Sequence, residues 1–458
     1  MLALLPILAN DIPWSAGGLM RCFDLVTEEG TLNNATFPAA VGRGPIGPAW
    51  LTGSLVAECL SQMLDRDLEL GRNVQATCCG TWDTAVIAGL DERGEQPTPF
   101  LNIIMEPMAG GYGARPHADG IDTGGLFCIP MGRVPDVEMT EFLYPVLTLW
   151  RREVADSGGP GRHRGGLGAS IAITPHGTSV PMGLVLASAG KAVAQNAGLC
   201  GGHPGNSGLD VVARRSRVAD QLAAGRIPAD LAEISDTLEP GQNYATSYLA
   251  PGEVFAMTWQ GGGGYGDPLT RDPEAVARDL REQKITAAAA TDVYGVVLAG
   301  GAIDTAATAA ERDRLRARRT ERSRVLGTTR GKADLATARR IDDNLVEVGP
   351  GGEHTVVACR HCAEVLGGPD DLAVAVYEGP RRRRDPRSSP QRPTTSTHPS
   401  CSGSTAAPPA GPRSPPRSCR PTTRITWAPS DGTPSPPPAE RGGRAGAPSR
   451  SPTPGPHP

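Results

Sequence analysis

Lysine is nearly missing from this chain. Lys191, Lys284 and Lys332 are the only three, against 42 Arg, a bias that points to a GC-rich genome rather than to a mechanism. Long apolar runs are also missing. None reaches the roughly 18 residues that a membrane helix needs, so a transmembrane helix is excluded. The apolar start, Met1 to Asn10, has no basic flank and no small-residue cleavage site, and Asp11 follows at once. It reads as chain interior or a buried edge rather than a signal peptide. Cysteine is sparse, ten in 458 residues, and Cys78 and Cys79 are adjacent. That is no disulfide framework, and a reducing, cytoplasmic setting is expected. No GxxxxGK[ST] string occurs, which excludes a Walker-type ATP site in this chain. No Gly-x-Ser-x-Gly elbow occurs either. Ser157 precedes a glycine pair but lacks a strand–turn–helix setting, so a serine nucleophile is not expected.

The net charge of −4 hides a split. Residues 380–458 hold 13 Arg, no Lys, three acidic residues and 21 of the 44 Pro, and they lack Leu, Val, Phe, Met and Tyr. Such a segment buries too little apolar surface to offset chain entropy and is expected to be a disordered tail. Its single aromatic is Trp427, so nucleic-acid binding by base stacking is not expected. The rest of the chain is acidic, with 32 basic and 46 acidic residues.

What is abundant is glycine: 51 of the 58 lie before residue 380. Glycine clusters alternate with short apolar runs, as in a loop-rich, mixed α/β architecture. Strands are expected at Cys22–Thr27, Phe100–Met105, Ala169–Thr174, Met182–Ala187, Leu209–Ala213 and Glu253–Trp259. A helix is expected over Pro48–Leu68, with Pro48 in its first turn and Leu51, Leu55, Cys59 and Met63 recurring at i+4. A second is signed by Asp272 as N-cap and Pro273 at N1, with Val276, Leu280 and Lys284 on one side. A third is expected from Thr286 to about Leu298. The charge-laced stretch after Asp304 reads as an exposed helix, within 301–330, that links two modules. A small segment, 331–379, precedes the tail.

Several motifs carry candidate chemistry. In the loop Gly110–Asp122, His117, Asp119 and Asp122 can hold a hard metal or move a proton; a tight Asp-Gly turn with solvated side chains is the competing reading. In Asp156–Gly168, backbone N–H groups can form an anion nest, with Arg162 and Arg164 adding charge-assisted bonds to a carboxylate or phosphate. The alternative is a connection into the next strand, with the arginines paired to the acidic body. Cys200 and His203 lie three apart with no second pair nearby, which favours a turn over a metal site. Gly261, Gly263 and Gly266 match GxGxxG, but the following helix begins only at Pro273, too far for a dinucleotide pyrophosphate to reach its N-terminus. Cys359 and Cys362 form one CxxC, half of a tetrahedral zinc site or a redox pair.

Taken in order, these strings resemble the hydantoinase B family, which includes the B-type chains of N-methylhydantoinase and 5-oxoprolinase and the large subunits of acetone and acetophenone carboxylases. The resemblance runs through Asn10–Gly17, Glu29–Asn33, Phe37–Gly42, Gly110–Asp122, Asp156–Gly168, Gly201–Gly205, Gly261–Pro268, Asp272–Val276 and Asp292–Leu298. It covers about 1–300, and Asp-Ser-Gly-Gly-Pro-Gly-Arg-His-Arg-Gly-Gly-Leu-Gly is its most specific string.

The resemblance implies a hydantoinase B-like α/β fold and an ATP-dependent enzyme subunit that opens a cyclic amide or carboxylates a ketone. It implies ATP on a separate hydantoinase A-type subunit, hence a hetero-oligomer. It also implies a divalent metal whose ligands, a His-x-x-Asp segment and a later His, would precede Asn10. Truncated at its start in this way, the chain would alternatively be a non-catalytic assembly partner. His117, Asp119, Arg162 and Arg164 become the candidate residues near the substrate or subunit interface. Segment 331–379 resembles the small zinc module related to the acetone carboxylase gamma chain, with Cys359 and Cys362 matching its first Cys pair. The abrupt arginine run after it reads as a change of reading frame.

Overall fold

Two antiparallel sheets stacked face to face form the body of the chain in a computed structural model. The described residues run from 24 to 42, from 47 to 320 with short breaks, and from 331 to 368 with further breaks, plus a few isolated positions. The tail at 380–458 lies outside them.

Helix α1 spans Pro48–Leu64, and strands β1 (Thr84–Asp91) and β2 (Thr98–Ile104) follow as a hairpin. Helix α2 (Val137–Leu143) leads into β3 (Val146–Glu153), β4 (Ala169–Pro175), β5 (Met182–Ala187) and β6 (Leu209–Ala213). Short helices α3 (Val218–Ala223) and α4 (Leu231–Ile234) precede β7 (Leu238–Pro240), β8 (Tyr244–Leu249) and β9 (Val254–Thr258). Helices α5 (Pro273–Arg281), α6 (Ala287–Asp292) and α7 (Thr305–Thr320) come next. A small C-terminal sheet is built from β10 (Arg339–Arg340), β11 (Leu345–Val348), β12 (Val356–Cys359) and β13 (Val365–Gly367), in that order. The fold is mixed α/β.

The first body sheet has the order β8-β5-β1-β2 and the second β3-β4-β9-β6-β7. Ile87 and Leu184 of the first meet Ile171, Phe255 and Met257 of the second in the main core. Strand β5 alternates buried and accessible positions, whereas β4 is buried along its whole length. The difference follows from what lies behind each sheet. Val218 of α3 and Ile234 of α4 pack on Ala172, Val211, Val254 and Ala256, so the second sheet is covered on both faces, and continuous apolar strands result.

The expected strands at 169–174, 182–187, 209–213 and 253–259 match β4, β5, β6 and β9, and the one at 100–105 matches β2 shifted by about two residues. The strand expected at 22–27 is absent from its described part: residues 24–27 are in no sheet, and Cys22 and Phe23 lie outside the described residues. Helix α1 begins at Pro48 as expected, but its buried face is Ser54, Ala57 and Ser61. The apolar i+4 stripe faces outward, with Leu55 and Met63 exposed. Small residues win that face because the helix lies close to backbone: Ser61 Oγ donates to the Gln75 carbonyl at 3.1 Å. Asp272 caps α5 by accepting from the Glu274 N–H, as expected. Lys284 falls beyond the helix, after Gln283 at φ 57. Thr286 caps α6, which stops at Asp292, ahead of Gly295 at φ 63.

Helix α7 forms within the expected 301–330 stretch and is exposed on one face only. Its other face is docked: Leu315 is buried, Arg312 Nε donates to the Tyr294 carbonyl at 3.1 Å, and Arg319 Nη1 reaches Asp267 at 3.0 Å. The expected interleaving of charge is there too, as Arg314–Glu311 and Arg316–Asp313 pairs.

Beside the sandwich lies a third unit in which glycine backbones pack directly against one another, next to a small apolar cluster of Val74, Ala76, Ala114, Leu199 and Tyr265. Extended segments around residues 74–79, 110–114, 157–168, 196–206 and 260–266 run against one another. Their backbone bonds leave each segment for several neighbours. Ala114 N donates to Gly263 O, Gly166 N to Tyr112 O, Gly262 N to Gly166 O, and Gly264 N to His203 O. A Cβ on Gly262 would overlap the Tyr112 carbonyl, and one on Gly165 the Gly262 carbonyl. Glycine is required here for the reason it is required at a collagen axis: no other residue lets backbones approach so closely.

Candidate functional site

The nest expected in Asp156–Gly168 is real in form, but its anions come from the chain itself. Arg164 N donates to Asp119 Oδ1 at 2.7 Å, and Leu167 N to Asp122 Oδ1 at 2.8 Å. The neighbouring amides are taken by the glycine bundle: Arg162 N bonds Gly266 O, His163 N bonds Tyr265 O, and Gly165 N bonds Gly159 O. Two sequence motifs therefore lock into one structure. Loop 110–122 supplies the carboxylates and loop 156–168 the donors.

Around them is a half-buried ionic network. Arg164 Nη1 donates to Asp122 Oδ1 at 2.8 Å and to the Gly165 carbonyl at 2.6 Å. Arg271 grips Asp119 from the far side and extends to Asp279 Oδ2 at 2.7 Å. Asp279 is on α5, and its carboxylate also lies 3.7 Å from Arg164 Nε. Lys284 Nζ closes the ring at 3.2 Å from Asp122. The guanidiniums of Arg164 and Arg271 are only 3% and 2% exposed, so their charge depends on these carboxylates.

Burial by itself would raise the Asp119 carboxyl. The hydrogen bonds and charge of Arg271, with the Arg164 N–H, outweigh it and hold Asp119 below the ordinary carboxylate range. Asp122 is likewise lowered, burial being outweighed by Arg164. His163, 3.9 Å from Asp119 through Nδ1, is pushed below the usual histidine value. Burial is the main cause, and the Arg162 and Arg271 charges add to it against the pull of Asp119.

The expected site residues separate. Asp119 and Arg164 are brought together within hydrogen-bond reach. Arg162 turns away, its guanidinium lying over the Tyr265 ring 5.4 Å from the centroid. His117 is exposed in the turn that the Arg115–Ala118 bridge closes. Cys200 and His203 stand in a turn, with Cys200 at φ 49 and Gly201 at φ 104. The GxGxxG run is an inner segment of the bundle, its glycines packed against the backbones of the neighbouring segments. Arg271, Asp279 and Lys284 were not singled out as site residues. The first is separated from Asp119 by 152 positions, and no spacing rule connects them. Asp279 looks like a solvated helix position until α5 is docked.

Cys359 is buried at the end of β12, in a turn closed by Cys359 N to Glu364 O and Ala363 N to Cys359 O. Cys362, its expected zinc partner, lies outside the described residues. Among the described residues, no group of three or more His, Cys, Asp or Glu is placed to hold a metal ion. No described helix is long and apolar enough to cross a membrane. The C-terminal sheet touches the bundle through Arg340, whose Nη2 lies 3.8 Å from Asp65 Oδ2 and 3.5 Å from the Tyr265 hydroxyl. Tyr265 in turn donates to Asp65 Oδ1 at 2.6 Å.

This glycine-built α/β body is of the kind that the hydantoinase B/oxoprolinase family defines: the family profile matches residues 1–268, and the chain belongs to that family. It is 31% identical over 306 residues to the caprolactamase subunit beta of Pseudomonas jessenii, covering 64% of this chain and 47% of that one. It is 29% identical over 239 residues to the acetone carboxylase alpha subunit of Xanthobacter autotrophicus, covering 48% of this chain and 30% of the other. The crystal structure of the ATP-dependent caprolactamase from Pseudomonas jessenii superposes with a TM-score of 0.54 at 26% identity, over 68% of this chain and 50% of that chain. The chain thus spans less than half the length of these two curated relatives.

Proposed function

We propose that this chain is part of the B-type subunit of an ATP-dependent enzyme that opens a cyclic amide. The observation that carries this reading is the likeness to a caprolactamase subunit in both sequence, over 306 residues, and fold. A lactam carbonyl is a poor electrophile. ATP, bound by a separate A-type subunit, supplies the activation of the amide oxygen, consistent with a chain that has no phosphate loop. Relatives named as subunits support a hetero-oligomer. In this reading Asp119 and Arg164 are positioning residues that hold two loops together, and His117 and Arg162 are the members on the accessible rim. A divalent metal, and a zinc ion at Cys359 and Cys362, belong to the same proposal.

A second reading, a subunit of an ATP-dependent ketone carboxylase, is favoured by the likeness to the acetone carboxylase alpha subunit and to the acetophenone carboxylase delta subunit of Aromatoleum aromaticum, the latter 30% identical over 222 residues. A coupled ATPase assay with the cognate A-type subunit separates the two. Turnover with a cyclic amide and no bicarbonate supports the hydrolase. Turnover that requires both bicarbonate and a ketone overturns it. Stable assembly without either turnover would leave the chain a non-catalytic partner.

A further inference from the structure

The short helices behind the second sheet hold a cavity of about 290 Å³, lined by Arg217, Asp220, Gln221, Ala224, Arg226 and Glu233. It shares no residue with the ionic network of Asp119 and Arg271. Its size is at the small end of the range for small-molecule sites. The local sequence builds it. Helix α3 ends at Gly225, φ 70, whose N–H bonds the Leu222 carbonyl while Arg226 N bonds the Gln221 carbonyl at 2.8 Å. That doubled C-cap turns the chain back on its helix, and it brings Arg226 to the cavity that Asp220, in the first turn, also lines. Helix α4 supplies Glu233, whose Oε2 is fixed by accepting from Ala229 N at 3.1 Å.

The lining carries two charges of each sign, and they are not equally engaged. Arg217 is spent: Nε donates to the Glu233 carbonyl at 3.2 Å, Nη1 to Asp236 at 2.8 Å and Nη2 to the Ala232 carbonyl at 2.9 Å. Arg226 and Asp220 are exposed, and among the described residues neither side chain has a hydrogen-bond or ion-pair partner, each other included. Gln221 is 6% exposed; its Nε2 donates to the Glu233 carbonyl at 3.0 Å, and its buried Oε1 accepts nothing. An uncommitted cation and an uncommitted anion that stand apart on one small cavity select a ligand with both charges on one chain. A ligand of single charge would cover the other group and take its water without returning an interaction. The unmet Gln221 acceptor adds to the pull on an N–H donor. We propose that this cavity binds a linear aminocarboxylate with its charges at opposite ends, the carboxylate at Arg226 and the ammonium at Asp220. Water added across the C–N bond of a cyclic amide gives a molecule of this class. Naming the ligand as that product rests on the cyclic-amide reading; the site itself does not.

Calorimetric titration of the full chain with ε-aminocaproate tests this, with no ATP and no second subunit present. Saturable binding at one site per chain is expected. Caproate and hexylamine carry one charge each, and norleucine carries both at one end; each should bind about tenfold or more weakly, the effect of losing one charged contact. Arg226→Ala and Asp220→Asn should each lower the affinity for ε-aminocaproate by a similar factor. Both side chains are exposed and unbonded, so the unfolding temperature of either variant stays that of the native chain. No saturable binding, equal binding of any of the three controls, or native affinity in both variants would each overturn the proposal. Because binding is read without turnover, the two readings fail separately. Binding without cyclic-amide turnover in the coupled assay counts against the cyclic-amide reading alone, and turnover without binding counts against the site alone.

Discussion

Arg271 binds Asp119 with both terminal nitrogens, at 2.6 and 2.7 Å, across 152 residues of sequence. The same guanidinium reaches Asp279 at 2.7 Å and the Arg162 carbonyl at 3.0 Å. One side chain thus fastens the loop carrying His117 to the loop carrying Arg162 and to helix α5. It is the point where three stretches of sequence are made to share one geometry.

Arg271→Met is expected to destabilise the fold by about 3–5 kcal/mol, because it removes the two-pronged partner of Asp119 and leaves Asp279, 3% exposed, with only the more distant Arg164 guanidinium at 3.7 Å. Arg271→Lys keeps the charge but loses the two-pronged grip, so its loss is smaller. Urea unfolding midpoints of the two variants check the order; equal and small shifts would remove Arg271 from this role.

The depressed carboxyls give a pH signature. A group whose folded pKa lies below its unfolded value of about 3.9 stabilises the fold above that value and loses the contribution as pH falls through the folded pKa. Asp119 and Asp122 are both of this type. The stability advantage of the native chain over Asp119→Asn should be constant from pH 7 down to about 5 and shrink below about pH 4. Thermal unfolding across that range measures it, and an advantage that grows on acidification would contradict the assignment.

Backbone contact makes the bundle intolerant of a single methyl. Gly262→Ala places a Cβ into the Tyr112 carbonyl, and the expected loss is about 3 kcal/mol or more, because backbone rather than a flexible side chain would have to move. Gly94, in the β1–β2 turn, is the control. Its nearest neighbour to an added Cβ is the Gln96 carbonyl oxygen at 3.7 Å, so Gly94→Ala should lie within about 0.5 kcal/mol of the native chain. Denaturant titration of the pair decides the matter.

Tyr265→Phe removes the hydroxyl that donates to Asp65 at 2.6 Å. Asp65 is only 5% exposed, and a hydrogen bond to such a charged group contributes about 1.5–3 kcal/mol. Because Arg340 meets the same two groups, the variant should also release the C-terminal sheet. Limited proteolysis between residues 320 and 345 is the readout, and an unchanged cleavage rate would show that the sheet is held by other contacts.

Local order was legible in the sequence where local chemistry decides it. Asp272-Pro273 announced the start of α5 because a capping carboxylate and a pre-set φ act within one turn. The apolar runs at 182–187 and 209–213 gave β5 and β6 to the residue. Helix α1 was legible as a helix but not in its orientation, since Ser54, Ala57 and Ser61, rather than Leu55 and Met63, form its buried face. The candidate site was half legible. Asp119 and Arg164 were recognised as chemistry-bearing, but a nest reads the same whether its anion is a ligand or a carboxylate 45 residues away. His163, Arg271 and Asp279 owe their roles entirely to where the fold carries them. The glycine clusters read as turns and loops because crowding between backbones leaves no periodic trace along any one segment.

The glycine bundle also constrains how such a chain can change over generations. Glycine codons all begin with two guanines, so every substitution at their first or second base replaces the residue and drives a side chain into a neighbouring carbonyl. At the glycine-to-carbonyl contacts themselves no side chain is present that a second substitution could trim to make room. Variation that alters what the chain binds must therefore fall on the accessible turns around the bundle, such as 115–118, while the strings that interlock beneath them stay nearly fixed.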